Sequence, residues 1–141
     1  MSLNLKKSGT QIQSDLFTLL RTSYLASEIS GSTYQYGMRP RNSQLEDMDI
    51  QFVTGIAPQM QSGLIKVNIY VPDIEVNGVM CENYARCQAI EIEANRTIEK
   101  ELTTAGSEYR FLLDNTIQTF AGEDDDFHFV HVRINYEILN Y

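Results

Sequence analysis

The chain has 141 residues, a length typical of one folded domain, with 43% hydrophobic and 21% charged residues. This composition excludes a disordered tail, which cannot bury enough apolar surface to fold. A formal net charge of −8 argues against duplex DNA or an anionic membrane as the main partner. We therefore expect a single domain over residues 1–141, with a flexible segment at 1–9, and no membrane or nucleic-acid partner.

The charge is unevenly distributed along the chain. Residues 1–41 have a net charge of +3, whereas residues 42–141 have a net charge of −11. A basic patch on one copy could meet the acidic face of the next, because complementary potentials steer association. Alternatively, the charges are scattered over a solvated surface.

Neither a secretory signal nor a membrane span is predicted, because no apolar run reaches the required length. This favours a soluble, intracellular protein. Cys81 and Cys87 lie six residues apart in what the pattern predicts to be a helix, where the rise separates them by about 9 Å. We expect both to be buried and unpaired.

The first half of the chain predicts one helix and three strands. Thr10 begins a Thr-x-x-Gln capping box, and apolar residues at helical spacing continue the helix to about Ser27. Alternation predicts strands at 33–37, 48–53 and 64–71. Two glycines and a proline predict a projecting loop at 54–63, and Asn77-Gly78 predicts a tight turn.

The second half predicts a long helix and two strands. Apolar residues from Met80 to Leu102 step by three or four, which favours a helix over about 82–104 that stops at Gly106. Alternation in phase over 109–119 favours one long strand, which an acidic hairpin tip at 121–126 joins to a final strand at 127–138. The expected fold is α+β, with two helices on one face of a mainly antiparallel five-stranded sheet, in the order α-β-β-β-α-β-β.

The other face of that sheet is expected to be open and aromatic. Tyr70, Phe127 and Phe129, with Phe120, would lie on it. An exposed aromatic patch often marks an interface, although single strand residues facing solvent are an equally simple explanation.

No catalytic, cofactor-binding or metal-binding residue is assigned from the sequence. The chain lacks a nucleophile elbow, a P-loop and a dinucleotide fingerprint. His128 and His131 are three apart on a strand and should face opposite ways, so they would not share a metal. The acidic run 123–126 is read as a solvated turn. One enzymatic alternative is a metal-dependent nuclease or hydrolase that uses a carboxylate cluster of Glu46, Asp47, Asp49 and Asp73.

The element order resembles the tail-completion, or tail-terminator, proteins of long-tailed bacteriophages and prophages. Three segments suggest this: Tyr34-Gln35-Tyr36-Gly37-Met38-Arg39-Pro40, the strand from Gly63 to Pro72, and Phe127-His128-Phe129-Val130-His131-Val132-Arg133. The resemblance implies a non-enzymatic virion protein without a cofactor. It also implies a homo-oligomeric ring, commonly a hexamer, that contacts the tail tube or the neck proteins. Its location would be the virion, and the bacterial cytoplasm during assembly.

We hypothesise that subunit or tail-tube contacts involve two arginines and the 54–63 loop, together with the open aromatic face. The predicted interface residues are Arg39, Arg41, Met60, Tyr70, Phe127 and Phe129. A third possibility is a cytosolic binding module whose open face holds a peptide or a small ligand.

Overall fold

A computed structural model describes residues 5–57, 60–103, 107–123 and 126–139. The helices are α1 (Gly9–Arg21), α2 (Tyr24–Glu28) and α3 (Tyr84–Arg96), and α3 continues into a π-helical turn at Thr97–Glu101. The strands are β1 (Thr33–Gln35), β2 (Met48–Ile56), β3 (Ser62–Pro72), β4 (Ile74–Val76), β5 (Val79–Cys81), β6 (Tyr109–Leu113), β7 (Gln118–Ala121) and β8 (Phe127–Ile138).

The fold is α+β with a mainly antiparallel sheet, as expected. The strand order of the main sheet is β1-β2-β3-β8-β6, and β7 also pairs with β8. The described sheet thus has six strands rather than five, and β1 runs parallel to β2. Three described helices replace the expected two. The strands β4 and β5 form a separate two-stranded ribbon.

One face of the sheet carries the core. Alternate residues of β3 and β8 are buried, as the sequence pattern predicts. The helix α3 packs against β3 and β8, whereas α1 packs against β1 and β2. The apolar residues of α1 and α3 lie in the same buried cluster, which includes Ile12, Leu16, Leu20, Cys87, Ile90 and Ala94. The intervening strand residues define the opposite, open face, where side chains are half-buried or exposed.

The N-terminal helix begins earlier and ends earlier than predicted. Its capping box is formed by Ser8 and Gln11, not by Thr10, because the Ser8 backbone N–H donates to Gln11 Oε1 at 2.8 Å. The prediction of one helix to Ser27 is wrong, since Ser23 caps the separate helix α2. Within residues 1–9, Lys7 pairs with Asp15 at 2.5 Å.

Half of the predicted loop at 54–63 belongs to strands. β2 extends to Ile56 and β3 begins at Ser62, and Gly55 is paired with Gly63 across the ladder. A Cβ atom on Gly55 would lie 2.2 Å from the Tyr136 hydroxyl oxygen. Because glycine has no side chain, the Tyr136 ring can cross the two strands closely at this pair. In the sequence, the same glycines look like loop residues. Pro58 and Gln59 lie outside the described residues.

The prediction of one strand over 109–119 is also wrong. β6 and β7 are separate, although both pair with β8, which explains why their alternation stays in phase. Between them, the backbone N–H of Asp114 donates to the Arg133 carbonyl at 2.9 Å. The Asp114 carboxylate also accepts from Arg133 and Asn135, so this side chain fixes the break.

The segment before α3 differs from its helical prediction. Asn77-Gly78 forms the expected turn, with φ angles of 53° and 80°, but β5 then contains Cys81, which is not helical. Asn83 caps α3, and Tyr84, predicted to face the core, is 68% exposed. The predicted stop at Gly106 and the centre of the acidic tip, Asp124-Asp125, lie outside the described residues.

Candidate functional site

Five of the six predicted interface residues converge on one open groove of about 670 Å³, which we call the Arg39 groove. They are Arg39, Arg41, Tyr70, Phe127 and Phe129. Met60 lies apart, because it precedes the Ser62 end of β3, whereas Tyr70 is at the other end of that strand. Met60 therefore does not line the Arg39 groove, and its contribution to an interface stays a prediction.

The floor of the groove is aromatic because of strand register. Tyr70 is directly opposite Phe129 on the open face, and their ring centroids are 6.1 Å apart. Phe127 meets Tyr70 edge-on at 5.6 Å, and Phe120 lies 5.9 Å from Phe129. Cross-strand aromatic pairs of this kind stabilise a sheet, so packed rings form the floor of the groove.

Arg39 is held in place from two sides. Its guanidinium carbon lies 4.0 Å from the centroid of the Tyr70 ring, a cation–π arrangement. Its Nε donates to Asp47 Oδ2 at 3.0 Å. The loop that carries Arg39 follows Gly37, whose φ of +87° requires glycine. Arg39 thus shapes the groove as well as charging it.

Asp47 is a buried carboxylate that directly precedes β2. It is 1% exposed and accepts hydrogen bonds from the Ser32 backbone N–H, Arg39 and the Ser43 hydroxyl. A Cβ atom on Gly31 would lie 2.0 Å from Asp47 Oδ1, so glycine is needed there for close approach. Asp47 consequently anchors the loop behind the groove.

A second buried carboxylate, Asp49, lines the groove. The Tyr70 hydroxyl donates to Asp49 Oδ2 at 2.9 Å. Burial raises the pKa of Asp49, opposed by this hydrogen bond and by the charges of Arg39 and Lys66. Burial and the Asp49 charge also raise the pKa of Tyr70. The pair is a fixed hydrogen bond rather than a free acid and a free phenol.

Lys66 and Asn68 complete the middle of the groove and are not among the predicted interface residues. The alternation along β3 places both on the same face as Tyr70, which is the signal that could have identified them. Asn68 accepts from His131 Nδ1 at 2.7 Å, the pairing that fits a protonated Nδ1. Burial, with the charges of Lys66 and Arg133, lowers the pKa of His131.

The carboxylates of the nuclease alternative are each engaged by a different partner. Glu46 accepts from Arg86 Nε at 2.6 Å, and Asp73 Oδ1 lies 2.7 Å from His128 Nδ1. The helical spacing of four between Glu82 and Arg86 predicts an ion pair between them, but the structure pairs Arg86 with Glu46. Within the described ranges, no three His, Cys, Asp or Glu side chains are grouped as metal ligands would be. What the geometry provides is an aromatic, cationic surface.

We find no match to this chain among protein families, characterised proteins or solved structures. In the part of the chain that the structure describes, no helix is both long and apolar enough to span a lipid bilayer.

Proposed function

We propose that this chain is a non-enzymatic assembly protein of the tail-completion class of long-tailed phages or prophages, which forms a ring where the tail meets the neck. The observation that carries the proposal is the convergence of Arg39, Arg41, Tyr70, Phe127 and Phe129 on one groove. Rings and tail contacts need such a surface, because association must bury apolar area and fix orientation through charge.

The chemistry of the groove suits protein–protein contact. Aromatic residues and arginine are enriched at interfaces, where they supply large buried areas with little loss of side-chain freedom. Tyr70 and Arg39 are already ordered against each other, which lowers the entropic cost of binding. A partner would therefore meet a preformed surface.

The proposal is tested by the oligomeric state. Light scattering after size-exclusion chromatography should give the mass of an assembly of several chains. Arg41→Glu should shift the protein towards the monomer, because it reverses an exposed charge of the groove. Arg96→Glu, an exposed reversal on α3, is the matched control and should assemble like the parent.

Binding to purified tail tubes completes the test. In a co-sedimentation assay, binding of the protein to the tubes should saturate, and Arg41→Glu should weaken the affinity at least about tenfold. A parent that remains monomeric at every concentration and salt, and that does not co-sediment, would overturn the proposal.

The groove also favours a second candidate, a binding module for a peptide or a small ligand. Its volume of about 670 Å³ lies within the usual range of ligand pockets. This candidate expects a monomer that saturates with a peptide ligand, whereas the assembly proposal expects association of the chain itself.

A further inference from the structure

The two-stranded ribbon of β4 and β5, residues 74–81, forms a second surface that is separate from the Arg39 groove; we call it the arm. Each of its strands has three residues, and they are joined by the turn at Asn77-Gly78. Seven of its eight residues are exposed, and Cys81 is half-buried. A short two-stranded ribbon is marginal in water unless something packs on it.

One face of the arm is entirely apolar. Ile74 pairs with Cys81 and Val76 with Val79, so these four side chains share that face. Val79 is 64% exposed. The other face holds Glu75 and Met80, and Glu75 makes no hydrogen bond or ion pair with any described residue. An apolar face that stays open costs free energy and therefore points to a contact.

The Arg39 groove has the complementary properties. Its floor is formed by aromatic rings, and Arg41 at its rim makes no hydrogen bond or ion pair within the described ranges. Lys66 adds a second cation. Two acids, Asp49 and Glu123, also line the groove, but the Asp49 carboxylate is already engaged, since it accepts a hydrogen bond from the Tyr70 hydroxyl.

The arm does not occupy the groove of its own chain, since none of residues 74–81 lines it. Every copy of the chain therefore presents an open apolar arm and an open aromatic groove. Glu75 on the arm and Arg41 on the groove, neither of which has a partner among the described residues, carry opposite charges. A second copy is thus an occupant that matches the groove in both apolar character and charge.

We infer that the arm of one copy docks in the Arg39 groove of a second copy. Val76 and Val79 pack on the rings of Tyr70 and Phe129, and Glu75 pairs with Arg41 at the rim. This inference rests on the proposed function and names the contact that would build the ring. Arm and groove are different surfaces, so the contact is heterologous, and it closes into a ring when its rotation permits.

A mixing experiment tests the contact. The arm variant is Val76→Asp/Val79→Asp, and the groove variant is Arg41→Glu/Lys66→Glu. Alone, each should associate at least about tenfold more weakly than the parent. Mixed, they should form a one-to-one heterodimer and no larger species, because the pair retains one intact groove and one intact arm. Native mass spectrometry distinguishes the two chains.

One control variant and a charge swap complete the test. Ile92→Asp changes an exposed apolar residue of α3 outside both surfaces and should assemble like the parent. Glu75→Arg and Arg41→Glu should each weaken assembly, whereas the combined charge swap should recover most of it. Circular dichroism and the unfolding temperature of each variant establish that the monomers are folded.

The outcomes separate the inference from the proposed function. If the parent assembles and both the arm and groove variants assemble equally well, the arm contact is overturned and the assembly function remains. If folded variants stay monomeric when mixed, the pairing of arm with groove is overturned. If the parent is always monomeric, both proposals are overturned.

Discussion

Arg39 donates to the buried carboxylate of Asp47 at 3.0 Å, and this contact fixes the position of the arginine over the Tyr70 ring. The two residues are eight positions apart and belong to the loop between β1 and β2. Asp47 is in turn held by the Ser32 backbone N–H and the Ser43 hydroxyl. The arginine that lines the groove is therefore also part of the framework of the loop.

The first prediction separates these two roles. Arg39→Ala should lower the free energy of unfolding by about 3 kcal/mol, because it leaves the buried Asp47 carboxylate without its cation. Arg41→Ala, the matched control, should change it by less than about 0.5 kcal/mol, since Arg41 is exposed. Urea denaturation of both variants measures the difference. Equal effects would contradict the structural role of Arg39.

The second prediction concerns pH. The pKa of Asp49 is raised above its unfolded value of about 4, so the folded state binds a proton more tightly than the unfolded state. The contribution of Asp49 to stability is therefore greatest at low pH and is lost as the pH rises through the raised pKa. Asp49→Asn keeps an acceptor for the Tyr70 hydroxyl but cannot ionise, so it removes the loss of stability that the parent shows as the pH rises.

We accordingly expect Asp49→Asn to be more stable than the parent at pH 7, with a difference that shrinks as the pH approaches 4. Chemical denaturation at several pH values measures it. Glu99→Gln, at an exposed position, should show no such trend. A difference between Asp49→Asn and the parent that does not vary with pH would contradict the prediction.

The same variant tests the nuclease alternative. That alternative predicts a magnesium-dependent activity that Asp49→Asn abolishes.

The third prediction concerns the paired glycines. Gly55→Ala should cost about 2 kcal/mol, because its Cβ would meet the Tyr136 hydroxyl oxygen at 2.2 Å. Adding Tyr136→Phe should recover about 1 kcal/mol beyond additivity by removing that oxygen.

Gly63→Ala is the control for this cycle. Its Cβ would instead meet the backbone oxygen of Thr54 at 2.2 Å, so Tyr136→Phe should give no comparable recovery. Denaturation of the single and double variants supplies the coupling energies. Equal recovery of both glycine variants would show that the Tyr136 hydroxyl is not the decisive contact.

The fourth prediction concerns the cysteines. Burial, with the charges of Glu82 and Glu91, raises the pKa of Cys87 to about 11, so at pH 8 only about one thiol in a thousand is ionised. Native protein should take up one iodoacetamide label, at Cys81, and unfolded protein should take up two. Peptide mass spectrometry locates the label. Rapid labelling of Cys87 in the native protein would contradict its burial.

Periodicity predicts the parts of this fold in which burial is regular. The alternation of Ile65, Val67 and Ile69 and the stripe of Cys87, Ile90 and Ala94 specify the core face, which the structure confirms. Boundaries were predicted less well because a local pattern does not show what lies across the sheet. Gly55 and Gly63 look like loop residues, and only Tyr136 on a neighbouring strand explains them.

The candidate groove was partly predictable. Alternation puts Tyr70 on one face of β3 and Phe129 on one face of β8, which suffices to predict an aromatic surface. It does not predict that Arg39 stacks on Tyr70, because that depends on the buried Asp47 and on a loop path that no periodicity describes.

Composition and hydrophobic period are local properties, and they specify an acidic chain of α+β class with a net charge of +3 before residue 42 and of −11 from there on. The tertiary structure decided which charges meet. It buried Asp47 beside Arg39, left Arg41 unpaired at a groove rim, and left Glu75 unpaired on an apolar arm within the described chain. Pairing and burial of charges depend on residues that are distant in sequence, so only the folded arrangement assigns them.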